Sequence, residues 1–472
     1  MDDDLSAAVT EVVRGLVDRG AVAADPAPAA VRLERLSGGA SRQTWFVHLD
    51  GSGAPLVLQV ARPGALASSL PFRTEATLVR AADAGGVPVA AVLGAEGLDG
   101  AGPLDGRPWM LSRFVAGETI ARKILRDELF AEARRRLVAD CGRALAAIHA
   151  VDVGRVPGLR ASDPVAESAA ILAAIDEPHP VLERALRWLD AHRPDRDVPP
   201  AVVHGDFRLG NLIVDGDGLA AVIDWELAHL GDPAEDLGWL CVKAWRFGGP
   251  GEVAGLGAAA DLLDAYVAAG GVPIDGEVLR WWTVAGTLRW GAICMVQSHT
   301  HLSGTNRSVE LAAIGRRVCE VELDLLELLG VATPDTVRAA AAAAAPAEPD
   351  DADLHARPTA RELLAAVGEW VAGPVTDGAD GRVRYHARVV ERVLAMVERE
   401  LALGPGQRQR HAARLARLGV GDEAALARAI RAGDLDGSAR AAELDAALLA
   451  TTVDRLLVAN PSYLQLDEER AR

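Results

Sequence analysis

The spacing of apolar residues changes its period along the chain, and the changes mark out elements. Residues 5–16 repeat at steps of three and four, the spacing of an amphipathic helix. From Val31 the period falls to two. Residues 31–36 and 44–49 alternate as strands around the turn Ser37-Gly38-Gly39-Ala40-Ser41, and 56–60 form another strand. Helical spacing returns in TEATLVRAADAGG, which stops at a Gly-Gly pair before Val87-Pro88. An apolar strand follows at 109–115, and then helices dominate. One run starts near Ile120, and a long one at 131–149 carries Leu137, Cys141, Leu145 and Ile148 on one face. Residues 1–104 therefore read as a small, mostly β lobe and 105–330 as a larger, mainly helical one. Residues 331–356 hold a poly-Ala run and an Ala/Pro/acidic stretch, the composition of a linker. Beyond it, helical periodicity at 358–364, 385–401, 412–418, 423–432 and 438–458 predicts a separate all-α domain over 357–472.

The strands that interrupt the helical lobe carry the chemistry. In VVHGDFRLGNLIVDGDGLAAVIDWELAHLGDPAEDLGWL (202–240), a short apolar run stops at His204-Gly205-Asp206, and Asn211 precedes the strand-like 212–214. Asp215-Gly216-Asp217-Gly218 supplies the positive φ values of a tight hairpin, whose return strand 219–223 ends on Asp224. A hairpin brings the outer ends of its strands together. Asn211 and Asp224 thus become neighbours, with Asp206 one short loop away. Oxygen ligands from an Asp and an Asn suit Mg²⁺, which keeps several waters and is completed by substrate phosphates. The third acid, Asp206, is placed to accept a proton from an incoming hydroxyl, the division of labour of kinase-type phosphoryl transfer. Acids in turns also cap and solvate. What separates this stretch from such turns is the complete order H-G-D-x-x-x-x-N, hairpin, I-D-W.

HGDFRLGN followed by VIDWE and GDPAEDL resembles the aminoglycoside phosphotransferase (choline kinase-like) family, a branch of the protein-kinase-like fold. Within it, the look is that of the subgroup associated with acyl-CoA dehydrogenases. The resemblance covers roughly residues 30–330. It implies an α+β, protein-kinase-like two-lobe fold, followed here by the all-α domain. It also implies ATP- and Mg²⁺-dependent transfer of a phosphoryl group to a small-molecule hydroxyl. Asp206 would be the catalytic base and Asn211 and Asp224 the Mg²⁺ ligands. Gly38, Gly39 and Ser41 would lie over the ATP phosphates, and Glu75 would pair with a phosphate-binding cation on the strand 56–60. There the sequence departs from the family. V-L-Q-V places Gln59 at the basic position, no lysine occurs in this lobe, and Arg62 falls on the opposite face of an ideal strand.

Two readings therefore stand. One is an enzyme that phosphorylates a hydroxyl, of a hydroxyacyl group or its CoA ester first and of an aminoglycoside-type antibiotic second. The other is a pseudokinase-like scaffold that binds a nucleotide or acyl group and acts through its helical tail.

Composition removes other classes. With 472 residues the chain is long for one domain. No apolar run reaches the ~18 residues of a membrane span, and MDDDLSAAV does not read as a signal peptide. Cys141, Cys241, Cys294 and Cys319 form no CxxC and read as buried thiols of a reducing cytoplasm. The formal charge is −18, and because residues 357–472 hold 17 basic and 17 acidic residues, the excess lies before them. An acidic domain of this kind argues against nucleic-acid binding. The expected partners are a small-molecule substrate and, for the neutral helical tail, a second copy or another protein. His149 reads as a packed residue, and Asp232 and Asp236 read as caps and supports of the catalytic loop. Trp239, Trp245, Trp281, Trp282 and Trp290 read as core, with some lining an acceptor pocket.

Overall fold

The computed structural model describes residues 2–22, 30–36, 42–49, 54–61, 69–98, 102, 104, 106–344 and 360–464. Helix α1 (Asp2–Asp18) precedes β1 (Val31–Arg35), β2 (Arg42–Leu49) and β3 (Leu56–Ala61). Then come α2 (Phe72–Ala84), β4 (Val92–Ala95) and β5 (Trp109–Arg113). The strands form one antiparallel sheet in the order β1-β2-β3-β5-β4. Alternation divides its faces. Trp45, Val47 and Leu49 of β2 and Leu56, Leu58 and Val60 of β3 are buried in one cluster with Leu5, Val9, Val13 and Leu16 of α1. The other face carries Arg42 and Thr44 beside Ala61 and Gln59, their cross-strand partners. On this face Phe72 and Ala76 of α2 pack with Ala95 and Met110. Strand β4 gave no alternating signal because four residues, VLGA, are too few to show a period.

The helical part continues with α3 (Ala121–Arg126), α4 (Ala131–His149), α5 (Pro164–Ile175) and α6 (Pro180–Ala191). Short strands β6 (Ala201–Val203), β7 (Leu212–Val214), β8 (Leu219–Val222) and β9 (His229–Gly231) follow, then α7 (Ala234–Cys241) and α8 (Ala259–Ala268). Next are α9 (Gly276–Leu302), α10 (Val309–Gly315), α11 (Val318–Leu328), α12 (Pro334–Ala343) and α13 (Ala360–Trp370). The last are α14 (Thr376–Gly378), α15 (Gly381–Leu418), α16 (Glu423–Ala432) and α17 (Ser438–Ala459). Among the described residues no helix is long and apolar enough to cross a membrane.

The chain divides into two compact units, one of residues 1–162 and 196–283, the other of 163–195 and 284–472. These cuts fall elsewhere than the composition-based boundaries at 104 and 331–356. In the first unit, α4 buries Leu137, Cys141, Leu145 and Ile148 in one core with Val202, Leu212, Val222, Leu262 and Tyr266. In the second, α6 lies against α11 and α16, and α17 against α11 and α15. Two expectations change here. Part of the supposed linker is helix α12, because alanine is the strongest helix former and Thr333 and Thr336 cap its start reciprocally. Residues 345–359 lie outside the described set. The runs at 385–401 and 412–418 are one helix, α15, despite Pro405 inside it. Side chains on both sides of the proline bond to α17: Arg399 donates to Val458 O at 2.7 Å and Arg410 to Asp454 at 2.7 Å.

Candidate active site

The site is built on the loop between β6 and β7. Gly205 stands at φ +78°, and a Cβ there would meet the Leu227 carbonyl oxygen at 2.4 Å, so only glycine fits. The backbone N–H groups of His204 and Gly205 donate to the two oxygens of Asp236, at 2.7 and 2.9 Å. Asp236 sits in the first turn of α7 and is fully buried. Burial works against its charge, but His149, 3.2 Å away, and the loop amides outweigh it and hold the carboxyl below its ordinary range. His149 Nδ1 in turn meets the Tyr266 hydroxyl at 2.9 Å, so this histidine is a packed support, as expected. Asp232, two residues before the start of α7, accepts from Ala234 N at 2.9 Å and pairs with Arg196.

His204 ties the two halves of the site together. Its Nδ1 accepts from Asp206 N at 3.2 Å, which makes Nε2 the protonated nitrogen facing Ile223 O at 3.2 Å. Burial depresses its pKa, in keeping with that neutral tautomer. Ile223 N donates to Asn211 O at 2.9 Å, so the hairpin β7–β8 brings Asn211 next to the segment that carries Asp224. Asp224 follows in the left-handed region at φ 67°, a conformation that Asp tolerates better than most residues.

The Asp206 carboxylate is held by three donors. Arg208 Nε and Trp239 Nε1 reach Oδ1, each at 2.9 Å, and Asn211 Nδ2 reaches Oδ2 at 2.6 Å. Because Asn211 spends its N–H₂ on Asp206, its carbonyl oxygen is left to face a cation. Arg208 also lies over the Trp245 ring at 4.7 Å, and Trp239 and Trp245 are in contact with centroids 5.1 Å apart. The role of Trp239 was not separable from core packing in the sequence, since nothing local links it to Asp206.

The cation that Glu75 meets comes from β2. Arg42, only 6% exposed, donates Nη1 and Nη2 to the two Glu75 oxygens at 3.0 and 2.5 Å. Its Nε lies 3.0 Å from Glu226, and Gln59 Oε1 is 3.5 Å from Nη1. Glu75 therefore does have a cationic partner, and Arg62 is not needed to supply one. Arg62, Gly38, Gly39 and Ser41 lie outside the described residues. The signal available in the sequence was a basic residue directly after the glycine turn, at the start of the alternation.

Charge around Arg42 is unbalanced. One guanidinium faces Glu75 and Glu226, with Asp224 close by. Burial, then Glu226 and Asp206, push the Asp224 pKa up to about 7. Burial likewise pushes Glu75 up against the pull of Arg42. Such a site favours added positive charge. Among the described residues no set of three or more His, Cys, Asp and Glu side chains is grouped as an all-protein metal cage. An Asp and an Asn carbonyl fit the sparser site of Mg²⁺, which relies on waters and phosphates for the rest.

The phosphotransferase enzyme family matches residues 32–282, more than half of the chain, and a domain of unknown function (DUF6285) matches 377–463. Acyl-CoA dehydrogenase family member 10 of Mus musculus is 29% identical over 223 residues, 45% of this chain and 20% of that protein. A homoserine kinase of Methylocella silvestris is 31% identical over 188 residues, 36% of this chain and 51% of that one. The chain thus spans between a fifth and a half of the length of these relatives. A crystal structure from Ralstonia eutropha, assigned as an aminoglycoside phosphotransferase, superposes with a TM-score of 0.54 at 22% identity. That alignment covers 69% of this chain and 98% of the other, and it carries the kinase-like α+β fold over to this chain. By fold and by a match over more than half its length, the chain belongs to the phosphotransferase enzyme family.

Proposed function

We propose that this protein transfers the γ-phosphoryl group of ATP, with Mg²⁺, to a hydroxyl of a small molecule. The coarse statement, a small-molecule kinase acting on hydroxyl groups, follows from the family. The observation that supports the residue assignment is the convergence of Asp206, Asn211 and the Asp224 segment on one loop and hairpin. Asp206, oriented by Arg208, Trp239 and Asn211, positions the acceptor hydroxyl and takes its proton. The hydroxyl oxygen forms the new bond to the γ-phosphorus as the bond to the β-bridging oxygen breaks, and ADP leaves. Asn211 and Asp224 hold Mg²⁺, which when bound neutralises charge on the phosphates. Gly38, Gly39 and Ser41 are assigned to the phosphates, and Gln59 and Glu75 line the same site.

The acceptor we favour is a hydroxyacyl group or its CoA ester, supported by the likeness to proteins named for acyl-CoA dehydrogenase. An aminoglycoside comes second, and the name of the Methylocella relative adds homoserine to the compounds worth testing. The scaffold reading draws its support from Gln59 at the basic position, and the Arg42–Glu75 pair weighs against it by giving Glu75 a cationic partner. We assign the protein to the cytoplasm, which suits its four buried thiols, and residues 357–472 to contact with a second copy or a protein partner.

Calorimetry with Mg-ATP on wild type and Asp224→Ala tests the reading. Micromolar binding lost in the variant is the expected result, followed by turnover of one acceptor class. Absence of ATP or GTP binding under every metal condition would sink it.

A further inference from the structure

The glycine-rich run FGGPGEVAGLG (247–257), between α7 and α8, takes no part in the reaction described above. It folds back on itself. Gly255 stands at φ +81°, where a Cβ would meet the Arg246 carbonyl oxygen at 2.4 Å, and a Cβ on Gly249 would meet the Gly255 oxygen at 2.5 Å. Phe247 and Ala254 also stand in the left-handed region, at φ 48° and 51°. Strain of this kind in non-glycine residues collects at sites that hold a ligand. The loop forms one wall of a hollow of about 520 Å³, the size of a small-molecule site. The other wall comes from α3 and the start of α4, which contribute Arg126, Arg134 and Arg135. Among the described residues no acidic side chain lines the hollow, in a chain whose formal charge is −18. The three arginines are held differently. Arg134 Nη1 donates to the carbonyls of Ile124 and Asp127, each at 2.8 Å, which fixes the turn from α3 to α4. Arg135 pairs with Glu132, and an exposed pair of this kind holds it weakly. Arg126 is exposed and, among the described residues, enters no ion pair. A solvated helix face would also carry arginines, but it would not gather them without acids around a concave wall of strained backbone.

We propose that this hollow binds a phosphate-bearing small molecule, whose phosphate oxygens Arg126 and Arg135 contact across from the loop 247–257. Guanidinium groups match phosphate in charge and in planar geometry. The phosphates belong either to the acceptor or to a separate anion. The acceptor source rests on the kinase reading above: Trp245, two residues before the loop, lies under Arg208 at 4.7 Å, and Arg208 holds Asp206. The hollow itself does not depend on that reading.

The test is calorimetry with two probes, inorganic pyrophosphate and coenzyme A, both without Mg²⁺. The variant is Arg126→Gln with Arg135→Gln. Both side chains are exposed, and Arg134 is left to hold its two carbonyls, so the fold is kept. Wild type should bind at least one probe, and the variant should bind it at least about tenfold more weakly, the loss expected for a charge-assisted hydrogen bond. Arg122→Gln with Arg136→Gln removes the same charge from exposed positions outside the hollow and should bind as wild type does. Coenzyme A bound more tightly than pyrophosphate supports a site for phosphates carried on a larger molecule such as the acceptor. Coenzyme A bound no more tightly supports a site for a separate small anion. The proposal is overturned if wild type binds neither probe at millimolar concentration. Unchanged affinity in the Arg126, Arg135 variant, or an equal loss in both double variants, overturns it too. Mg-ATP is titrated in parallel: wild type that binds a probe at the hollow but no Mg-ATP would overturn the kinase reading and leave the hollow standing.

Discussion

Trp239 gives Asp206 Oδ1 an indole N–H at 2.9 Å, one of three donors that orient the carboxylate. Trp239→Phe keeps an aromatic ring against Trp245 and removes that bond to a carboxylate, worth about 1.5–3 kcal/mol. Its expected effect is a kcat lower by about tenfold to a hundredfold with an unchanged KM for ATP, read by steady-state kinetics. Asp206→Asn should lower kcat by about a hundredfold to ten-thousandfold while leaving Mg-ATP binding intact, because it removes the proton acceptor and no phosphate contact. A variant that keeps full turnover would remove Asp206 from the role of base. At this scale Asp206, Asn211 and Asp224 were readable, since they lie within one loop and one hairpin. Arg42 and Trp239 were not. Each reaches the site from an element whose position depends on packing elsewhere.

Among elements, α7 acts as the clamp of the catalytic loop. Asp236 in its first turn accepts two buried backbone N–H groups and faces His149. Asp236→Ala removes these three buried bonds, and each charge-assisted hydrogen bond lost in the interior costs about 1–3 kcal/mol. Stability in urea should therefore fall by about 3 kcal/mol or more, and turnover should fall with it because the Asp206 backbone is released. A change below about 0.5 kcal/mol would show that the loop holds its shape without the clamp. The helix α4, the hairpin and the first three strands were legible from period alone. Helix α12 and the unbroken α15 were not, because alanine content and Pro405 point to a linker and a break. Capping at Thr333 and the bonds from α15 to α17 decided otherwise.

On the scale of the whole molecule, pH acts on the second unit through a buried network. Glu322, fully buried, lies 3.2 Å from His179 Nδ1 and 2.9 Å from Arg455 Nη1. Burial alone would lower the His179 pKa, but Glu177 and Glu322 outweigh it and raise it to about 9. For Glu322 burial works upward, and Arg455 and His179 overcome it to bring the pKa to about 2. A histidine with a raised pKa stabilises the fold in full below its unfolded value of 6.5, and that contribution disappears as the pH rises through about 9. Glu322, with a depressed pKa, contributes in full above its unfolded value of 4.5 and loses this as the pH falls toward about 2. The network is thus strongest between pH 4.5 and 6.5. Urea unfolding should show a decline on the order of 2 kcal/mol between about pH 6.5 and 9. His179→Gln should flatten that limb and leave the acidic one. A wild-type profile already flat above pH 6.5 would contradict the network.

The sequence by itself determined the hairpin of β7 and β8 and the kinase-like class, and it put the residues we propose as base and metal ligands on that loop and hairpin. All of these rest on short-range spacing, and a turn or a strand period is set by the residues next to it. Which cation meets Glu75, what orients Asp206 and where the chain divides into units were decided only by tertiary structure. Each depends on how strands pair and helices pack across long stretches of chain, and on burial that makes an unpaired charge too costly to leave unpaired. For Arg42 the deciding fact is the β2–β3 register, which sets it diagonal to Gln59 and within reach of Glu75.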